Sequence, residues 1–263
     1  MSYQTIIFVT SEGVARLTLN RPECLNSFNT VMHSEIQDAL AALQRDTSAR
    51  VLVLTGAGRG FCAGQDLGDR VVAPGGAPPD LGLSIERGYK PLILALHRLP
   101  LPVIAAVNGV AAGAGANIAL ACDLVIAARS ATFIQAFSRI GLVPDSGGTW
   151  VLPRLAGHAR AMGLALLGEK LPAEQAAQWG LIWRCVDDGQ LAGEVDTLAR
   201  QLAAAPTRGL ARTKQAMLEG WSRTLEQQLD VERDYQRELG HSADYAEGVA
   251  AFMAKRVPSF TGR

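Results

Sequence analysis

The chain has 263 residues, of which 48% are hydrophobic and 19% are charged. This composition is typical of a globular protein and excludes disordered and fibrous chains. The 25 basic residues balance the 25 acidic residues, so no excess of positive charge predicts binding to nucleic acid or to an anionic membrane. The four cysteines are far apart and form no CxxC pair, which favours reduced thiols and a cytoplasmic location over disulfides or a zinc site.

The first residues and residues 99–122 are the two segments that bear on targeting or membrane insertion. The first residues carry no basic stretch followed by a long apolar run, so they do not resemble a signal peptide. Residues 99–122 are uncharged, but proline, glycine and asparagine residues interrupt them. That pattern predicts a buried strand, loop and helix, and no membrane span.

The first 130 residues alternate between strand and helix patterns. Residues 5–19 predict two strands joined by a turn at residues 11–13, because apolar and polar residues alternate along them. Residues 30–44 and 87–99 predict helices, the first of them capped by Asn29 or Thr30. Short apolar runs, typical of parallel strands covered on both faces, lie at residues 50–56, 102–109 and 123–128. The alternation predicts an α/β fold with parallel strand pairing.

The remaining chain differs in character. Residues 68–85 are rich in glycine and proline and predict a long, mobile surface loop. Amphipathic helices are predicted at residues 190–204, 207–219, 224–239 and 242–254. We therefore expect an α/β core over residues 1–200 and a helical C-terminal region over residues 201–263.

Two glycine-rich turns are the first candidates for a functional site. They span residues 56–64 and 109–116, each directly after a predicted buried strand. A glycine-rich turn that opens a helix exposes unpaired N–H groups, and two such turns can direct two N–H groups at one oxygen, which is an oxyanion hole. Tight backbone packing explains the glycines equally well. Motifs for dinucleotides, nucleotide phosphates, serine hydrolysis and zinc are absent, and the four histidines have no metal-ligand spacing.

Few carboxylates are available near these turns. Between Glu86 and Glu169 the chain carries only Asp123 and Asp145. Asp123 lies at a helix–strand junction, where satisfying backbone donors is the expected role. Asp145 lies in a turn among apolar neighbours, where it either caps a helix that starts near Ser146 or has a raised pKa suited to a general base.

Several segments resemble the crotonase (enoyl-CoA hydratase/isomerase) superfamily: residues 20–29, 58–67, 102–115, 141–150 and 250–262. The resemblance covers nearly the whole chain. It implies a spiral of ββα units and a C-terminal helical trimerisation region, with trimers that often pair into hexamers. It also implies that the substrate is an acyl-CoA thioester, which carries coenzyme A itself, so that neither a metal nor another cofactor is needed.

The resemblance assigns roles to individual residues. The thioester carbonyl would be held by the main-chain N–H groups of Gln65 and Ala114. Other substrate contacts would come from the neighbouring residues Ala63, Gly64, Asp66, Leu67 and Gly113, together with Asn117 and Phe137. Many relatives carry a basic residue where this chain has Cys24. Lys255, supplied by a neighbouring subunit, is the expected substitute for that contact to the CoA phosphates.

The chemistry implied by the resemblance depends on three positions. Hydratases carry glutamates where this chain has Asn117 and Phe137. Aryl-CoA dehalogenases have an aspartate at the position of Asp145, and they pair it with a tryptophan and a histidine at the positions of Phe137 and Lys90. Hydration and dehalogenation are therefore poorly supported. One carboxylate, Asp145, above an oxyanion hole is the minimum required to move a proton.

Idiosyncratic segments narrow the resemblance to members of the family that act on phenylacetate-derived substrates; they include residues 63–70, 79–92 and 231–239. The implied activity is conversion of ring-1,2-epoxyphenylacetyl-CoA to oxepin-CoA, with double-bond shifts in unsaturated acyl-CoAs. The alternatives are an enoyl-CoA hydratase or a Δ3-Δ2-enoyl-CoA isomerase of β-oxidation, and a non-catalytic CoA-thioester-binding scaffold subunit. Association with other enzymes of phenylacetate degradation or β-oxidation is also an expectation of the resemblance.

Overall fold

The computed structural model describes residues 3–70 and 80–263. The strands within these ranges are β1 Ile6–Ser11, β2 Val14–Leu19, β3 Val51–Gly56, β4 Gly60–Cys62, β5 Val103–Val107, β6 Val110–Ala112, β7 Leu124–Ala128, β8 Thr132–Ile134, β9 Lys170–Pro172 and β10 Arg184–Val186. The predicted hairpin over residues 5–19 and the three predicted buried strands are confirmed.

The strands form two sheets. The larger has the order β1-β2-β3-β5-β7-β10, and only its β1–β2 hairpin is antiparallel. The smaller has the order β4-β6-β8-β9, and its β4–β6 and β6–β8 pairs are parallel. Strands β3, β5 and β7 of the larger sheet are each followed within a few residues by a strand of the smaller sheet, namely β4, β6 and β8. The first two of these passages adjoin the two glycine-rich turns.

The first long helix shows why the local sequence folds as it does. Helix α1 spans Thr30–Arg45, and the side chain of Asn29 accepts a hydrogen bond from the N–H of Met32 at 2.8 Å, as a helix cap does. Its buried face carries Met32, Ile36, Ala39, Leu40 and Leu43, the spacing from which the helix was predicted. The prediction of a helix capped by Asn29 is therefore confirmed.

The predicted long loop over residues 68–85 is wrong at both ends. Residues Leu67–Arg70 form a 3-10 turn, and helix α2 begins at Leu81, where the Asp80 side chain accepts from the N–H of Leu83 at 3.0 Å. A π-helical turn, Ile85–Tyr89, joins α2 Leu81–Ser84 to α3 Lys90–Arg98. The cap at Asp80 outweighs the low helix propensity of the glycines that follow it. The predicted loop over residues 71–79 lies outside the described residues.

The later helices surround the sheets and extend the chain beyond them. They are α4 Ala114–Leu120, α5 Gly148–Ala156, α6 His158–Leu167, α7 Ala173–Gln178, α8 Leu191–Ala203, α9 Thr207–Gly220, α10 Leu225–Gly240 and α11 Ala243–Met253. The four helices predicted after residue 190 are confirmed. Helix α8 packs on the larger sheet, and α9, α10 and α11 pack in sequence on one another. No helix in the described ranges is both long and apolar enough to cross a membrane.

Helix α9 is joined to the core by a partly buried ion pair. The ammonium of Lys214 lies 2.9 Å from the carboxylate of Asp123 and donates to the carbonyl oxygen of Leu96 at 2.7 Å. Asp123 also accepts from the N–H of Val103 at 2.7 Å, so the prediction that it satisfies a backbone donor is confirmed. Burial raises the pKa of Asp123, against the lowering effect of Lys214.

Candidate active site

The two glycine-rich turns lie side by side. Strands β4 and β6 pair in parallel, with Gly60 opposite Val110. A Cβ placed on Gly64 would lie 2.9 Å from the carbonyl oxygen of Ala112 and 3.4 Å from the nitrogen of Ala114, and one placed on Gly115 would lie 2.3 Å from the carbonyl oxygen of Cys62. The glycines are therefore required for the approach of the two loops, which brings Gln65 next to the start of α4.

The N–H of Gln65 faces α4. Gln65 forms an isolated parallel bridge with Phe28, in which the N–H of Phe28 donates to the oxygen of Gly64 and the N–H of Asp66 donates to the oxygen of Phe28. Successive backbone groups of an extended strand point to opposite edges. The N–H of Gln65 consequently points away from Phe28, and within the described residues it has no hydrogen-bond acceptor.

The second donor is the first N–H of α4. Gly113 precedes the helix with φ +53 and ψ −126, a conformation that glycine adopts and that side-chain-bearing residues avoid. Ala114 is the first helical residue, so its N–H has no partner in the preceding turn of the helix. Two main-chain N–H groups, from Gln65 and Ala114, thus lie on adjacent loops at the positive end of a helix.

Asn26 shapes the first turn, although the sequence did not single it out. Its side chain is fully buried, and its amide donates to the carbonyl oxygens of Ala57, Gly60 and Phe61 at 2.9, 2.8 and 3.2 Å. Its side-chain oxygen accepts from the N–H of Arg21 at 2.9 Å. Asn26 has φ +57, which asparagine tolerates better than most residues; this tolerance is the signal by which the sequence could have indicated it.

The side chain of Gln65 is held as firmly as its main chain. The buried hydroxyl of Tyr89 donates to Oε1 of Gln65 at 2.9 Å, and Nε2 of Gln65 donates to the carbonyl oxygen of Phe28 at 2.9 Å. Tyr89 is the last residue of the π-helical turn, an irregularity frequent at functional sites. Sequence reasoning did not identify Tyr89, because nothing local predicts a contact between residues 24 positions apart.

The residues around Gln65 have different environments. Ala63 donates its N–H to the oxygen of Leu25 at 2.9 Å, and Leu67 is exposed. Asp66 forms a half-buried ion pair with Arg21 at 2.9 Å and accepts from the N–H of Gly68 at 3.0 Å. The Asp66 carboxylate is therefore engaged in stabilising the turn that carries Gln65.

Asp145 lies in the turn before α5. The prediction that it caps this helix is wrong, because α5 starts at Gly148 and its cap residue is Gly147. The main-chain oxygen of Asp145 accepts from the N–H of Gly148 at 2.8 Å, and its carboxylate accepts from the hydroxyl of Ser146 at 2.9 Å. The turn is tied to α4, since the amide of Asn117 donates to the main-chain oxygen of Asp145 at 2.8 Å. Asn117 is about one helical turn beyond Ala114, so Asp145 is held near the two N–H groups.

The two positions that carry glutamates in hydratases are uncharged and buried here. Asn117 is 0% exposed and Phe137 is 6% exposed. The ring of Phe137 lies beside Gly113, with its Cζ 3.7 Å from a Cβ placed on that glycine. The structure thus brings together Gln65, Gly113, Ala114, Asn117, Phe137 and Asp145 as predicted neighbours.

Other predicted residues lie apart from this cluster. Lys255 is exposed just after α11, and within the described residues no hydrogen bond or ion pair joins it to Gln65 or Ala114. Lys90 is paired with Glu86 at 2.8 Å on the helix surface. Cys24 is half-buried, and its thiol lies 3.5 Å from the carbonyl oxygen of Arg21.

Thiol and metal chemistry have little support in the described part of the chain. Cys62 accepts from the N–H of Gly64 at 3.4 Å, and burial raises the pKa of its thiol to about 12, so the thiol stays protonated near neutrality. In the described ranges, no three histidine, cysteine or carboxylate side chains come together as a metal site.

Two clefts are relevant to a ligand. A cleft of about 340 Å³ beside Gln65 is lined by α1 and the helical segment after residue 80, with His33, Leu83 and Arg87 among its walls. A larger cleft of about 860 Å³ lies between α3 and α9. None of the predicted site residues lines the larger cleft, so the smaller cleft is the candidate for a group bound next to Gln65.

Comparison with known proteins agrees with this geometry. Residues 9–263 match the enoyl-CoA hydratase/isomerase family. The chain is 62% identical over 258 residues to the 1,2-epoxyphenylacetyl-CoA isomerase of Escherichia coli strain K12, covering 98% of each chain. It is 35% identical to a 4-chlorobenzoyl coenzyme A dehalogenase of Arthrobacter, covering 95% of this chain and 90% of that one. The crystal structure of an enoyl-CoA hydratase from Polaromonas sp. JS666 superposes with a TM-score of 0.91 at 37% identity, covering 97% and 99% of the two chains.

These matches extend over essentially the whole sequence. The chain therefore belongs to the enoyl-CoA hydratase/isomerase family and has the crotonase fold, as the sequence segments predicted.

Proposed function

We propose that this chain is an acyl-CoA isomerase that converts ring-1,2-epoxyphenylacetyl-CoA to oxepin-CoA and also shifts double bonds in unsaturated acyl-CoAs. The observation that supports this most is the position of Asp145, whose main-chain oxygen accepts from Asn117 of α4, the helix that begins with the N–H of Ala114. The relative from E. coli, 62% identical, is an isomerase for that epoxide.

The main-chain N–H groups of Gln65 and Ala114 hold the thioester carbonyl in this proposal. When a proton leaves the α-carbon, negative charge develops on that carbonyl oxygen, and fixed donors stabilise it. A donor of this kind typically contributes about 2.7–4 kcal/mol to the transition state. Residues Ala63, Gly64, Asp66, Leu67 and Gly113 form the walls on either side, and Lys255 of a neighbouring subunit reaches the CoA phosphates.

Asp145 removes the α-proton. In the ring epoxide, the electron pair released from the C–H bond forms a double bond between the α-carbon and the ring, and the carbon–carbon bond of the epoxide breaks as the ring expands to the seven-membered oxepin. The carboxylic acid of Asp145 then returns the proton to a ring carbon. In a 3-enoyl-CoA the same carboxylic acid returns the proton two carbons away, which moves the double bond to the 2-position. Both reactions are isomerisations, so neither consumes another reactant.

The uncharged positions around Asp145 disfavour the related reactions. Hydration in this family is expected to need the carboxylates that Asn117 and Phe137 replace, and both residues are buried. Dehalogenation is expected to need the histidine that Lys90 replaces, and Lys90 is bound to Glu86. A non-catalytic scaffold would not need the carboxylate of Asp145 at all.

The assembly proposed for the chain is a trimer or a pair of trimers in the cytoplasm. The C-terminal helices expose large apolar side chains, among them Leu225, Phe252, Met253 and Val257, each more than 70% exposed. A monomer rarely leaves such a group of side chains in water. Association with other enzymes of aromatic acyl-CoA degradation would use surface that this assembly leaves free.

Mass-resolved turnover of an acyl-CoA panel by the purified protein tests the proposal. The panel contains the ring epoxide of phenylacetyl-CoA, a 3-enoyl-CoA, crotonyl-CoA and 4-chlorobenzoyl-CoA. We expect products of unchanged mass from the first two, almost no addition of water to crotonyl-CoA, and no exchange of chlorine for hydroxyl. Hydration as fast as isomerisation would contradict the proposal, and binding of every thioester without turnover would support the scaffold.

A further inference from the structure

Two buried side-chain amides form a series of hydrogen bonds that ends at the main-chain oxygen of Asp145. Nε2 of Gln135 donates to Oδ1 of Asn117 at 2.8 Å, and Nδ2 of Asn117 donates to the main-chain oxygen of Asp145 at 2.8 Å. Gln135 is 2% exposed and Asn117 is 0% exposed. A main-chain carbonyl can only accept, so the orientation of Asn117 is fixed, and that orientation in turn fixes Gln135 as the donor to it.

The turn that contains Asp145 has an unusual backbone conformation. Ser146 has φ +50 and Gly147 has φ +78, two left-handed residues in succession. A serine in this region is conformationally strained and persists where its surroundings hold it. The hydroxyl of Ser146 donates to the carboxylate of Asp145 at 2.9 Å. Asp145 is therefore held both at its main chain, by Asn117, and at its side chain, by Ser146.

The next residue makes space for the contact. A Cβ placed on Gly148 would lie 2.3 Å from Nδ2 of Asn117, so only glycine permits the amide to reach the carbonyl. Glycine at position 148 and asparagine at position 117 are thus matched to each other across 31 residues of sequence.

We propose that Asn117, supported by Gln135, is a positioning residue that fixes the main chain of Asp145 so that its carboxylate is directed at the α-carbon of the substrate. This inference rests on the proposed function. An ionised glutamate at position 117 could only accept hydrogen bonds, so it would face the Asp145 carbonyl without a donor and would repel the Asp145 carboxylate. Where hydratases are expected to carry a reacting glutamate, this chain therefore has an asparagine that supports the carboxylate of Asp145.

The variant Asn117→Asp tests the proposal, because it keeps the size of the side chain and makes its donor depend on pH. The ionised carboxylate cannot donate to the Asp145 carbonyl, whereas the protonated acid can. We expect kcat for 3-enoyl-CoA isomerisation at pH 8 to fall about 5- to 150-fold, the loss for a buried carbonyl left without its donor, with KM nearly unchanged. As the pH falls towards 5, the ratio of the variant's kcat to that of the unmodified protein should rise.

The ratio of the two kcat values removes any pH dependence that the variant and the unmodified protein share. Among the described elements packed most closely on α4, strands β5 and β6 carry no titratable side chain, β4 carries Cys62, and α5 carries Arg154. Burial raises the pKa of Cys62 to about 12, and arginine stays charged. A change in the ratio between pH 8 and pH 5 therefore reports the introduced carboxylate.

Asn108→Asp is the matched control. Asn108 also donates through Nδ2 to a main-chain oxygen, that of Gly58 at 2.9 Å, and its other hydrogen bonds are with Gly56 and Gly60 of the first glycine-rich turn. The aspartate introduced at position 108 loses its donor with pH in the same way, so we expect its kcat ratio to change between pH 8 and pH 5 by less than the ratio of Asn117→Asp. An Asn117→Asp enzyme with unchanged kcat, or with a loss that is the same at every pH and that Asn108→Asp reproduces, would overturn the proposal.

Gln135→Met provides a second test should Asn117→Asp not fold. It keeps the volume and leaves the bond from Asn117 to Asp145 in place but unsupported. We expect a kcat loss of about 2- to 10-fold with unchanged KM, and an unchanged kcat would overturn the proposal. An unmodified protein that isomerises neither substrate would instead contradict the proposed function, so the two failures are distinguishable.

Discussion

The hydroxyl of Tyr89 donates to Oε1 of Gln65 at 2.9 Å, although the two residues are separated by the segment that leads into α3. Tyr89 is 0% exposed and ends the π-helical turn. The side chain of the residue that carries the proposed oxyanion donor is therefore held by a helical segment that also forms a wall of the cleft beside it.

Removal of this hydroxyl should slow the reaction without unfolding the protein. Tyr89→Phe keeps the ring in the core and removes one hydrogen bond, typically worth about 0.5–1.5 kcal/mol. We expect kcat to fall about 2- to 10-fold and the free energy of unfolding to fall by no more than about 1.5 kcal/mol. Tyr245→Phe, at an exposed position on α11, is the control and should leave kcat unchanged; equal kcat values for the two variants would contradict the role given to Tyr89.

The ion pair between Lys214 and Asp123 should be a main attachment of α9 to the core. Lys214→Ala leaves the Asp123 carboxylate without its cation, and breaking a buried pair costs about 3–5 kcal/mol. We expect the lower end, about 3 kcal/mol, because Asp123 keeps the N–H of Val103 and its side chain is 22% exposed.

Lys90→Ala is the matched control for that measurement. Lys90 pairs with Glu86 at a similar distance of 2.8 Å, but both side chains are more than half exposed, so we expect less than about 1 kcal/mol. Urea unfolding of both variants at one protein concentration decides the comparison. Equal losses would show that burial of Lys214 has no special effect.

The C-terminal segment should become less firmly attached at acid pH. Hydrogen bonds from Arg256 and the N–H of Ser259 lower the pKa of Glu247 from 4.5 to about 2. A group whose pKa is lower in the folded state stabilises the protein fully above its unfolded pKa and loses that effect as the pH falls through the folded value. The thermal midpoints of the unmodified protein and Glu247→Gln should therefore differ above pH 4.5 and converge between pH 4.5 and pH 2. If the two thermal midpoints differed by the same amount over this whole pH range, the lowered pKa of Glu247 would not contribute to stability.

The exposed C-terminal side chains should form the contact between subunits. Phe252 and Met253 are 81% and 78% exposed in the single chain. We expect light scattering to give the mass of a trimer or hexamer at micromolar concentration, and Phe252→Glu to lower that mass. A monomer mass for the unmodified protein would contradict the proposed assembly.

The sequence predicted those features whose cause is local. The helix after Asn29 and the hairpin at residues 5–19 follow from a cap and from alternation. The helix at Leu81 was missed because its cap, Asp80, lies in a segment dominated by glycine and proline. The support of Asp145 by Asn117, 28 residues away, could not be predicted, since it depends on how α4 and the turn before α5 pack together. Of the residues that the resemblance assigned, Gln65, Gly113, Ala114, Asn117, Phe137 and Asp145 lie together, whereas Lys255 lies apart from them. The supporting residues Asn26, Tyr89 and Gln135 were not predicted, because their contacts depend on the three-dimensional packing.

Asp145 transfers the proton in the proposed mechanism, and the variant Asp145→Asn removes that ability alone. Asp145→Asn keeps the size of the side chain and can still accept from Ser146, but it cannot take up the α-proton. A positioned general base contributes about 10²–10⁴-fold to the rate. The measurement is the kcat of Asp145→Asn for 3-enoyl-CoA and for the ring epoxide, together with its Kd for the thioester. We expect kcat to fall about 100-fold or more with a Kd within a few-fold of the original, because the N–H groups of Gln65 and Ala114 are untouched. An Asp145→Asn enzyme whose kcat stays within a few-fold of the unmodified protein would show that Asp145 is not the base.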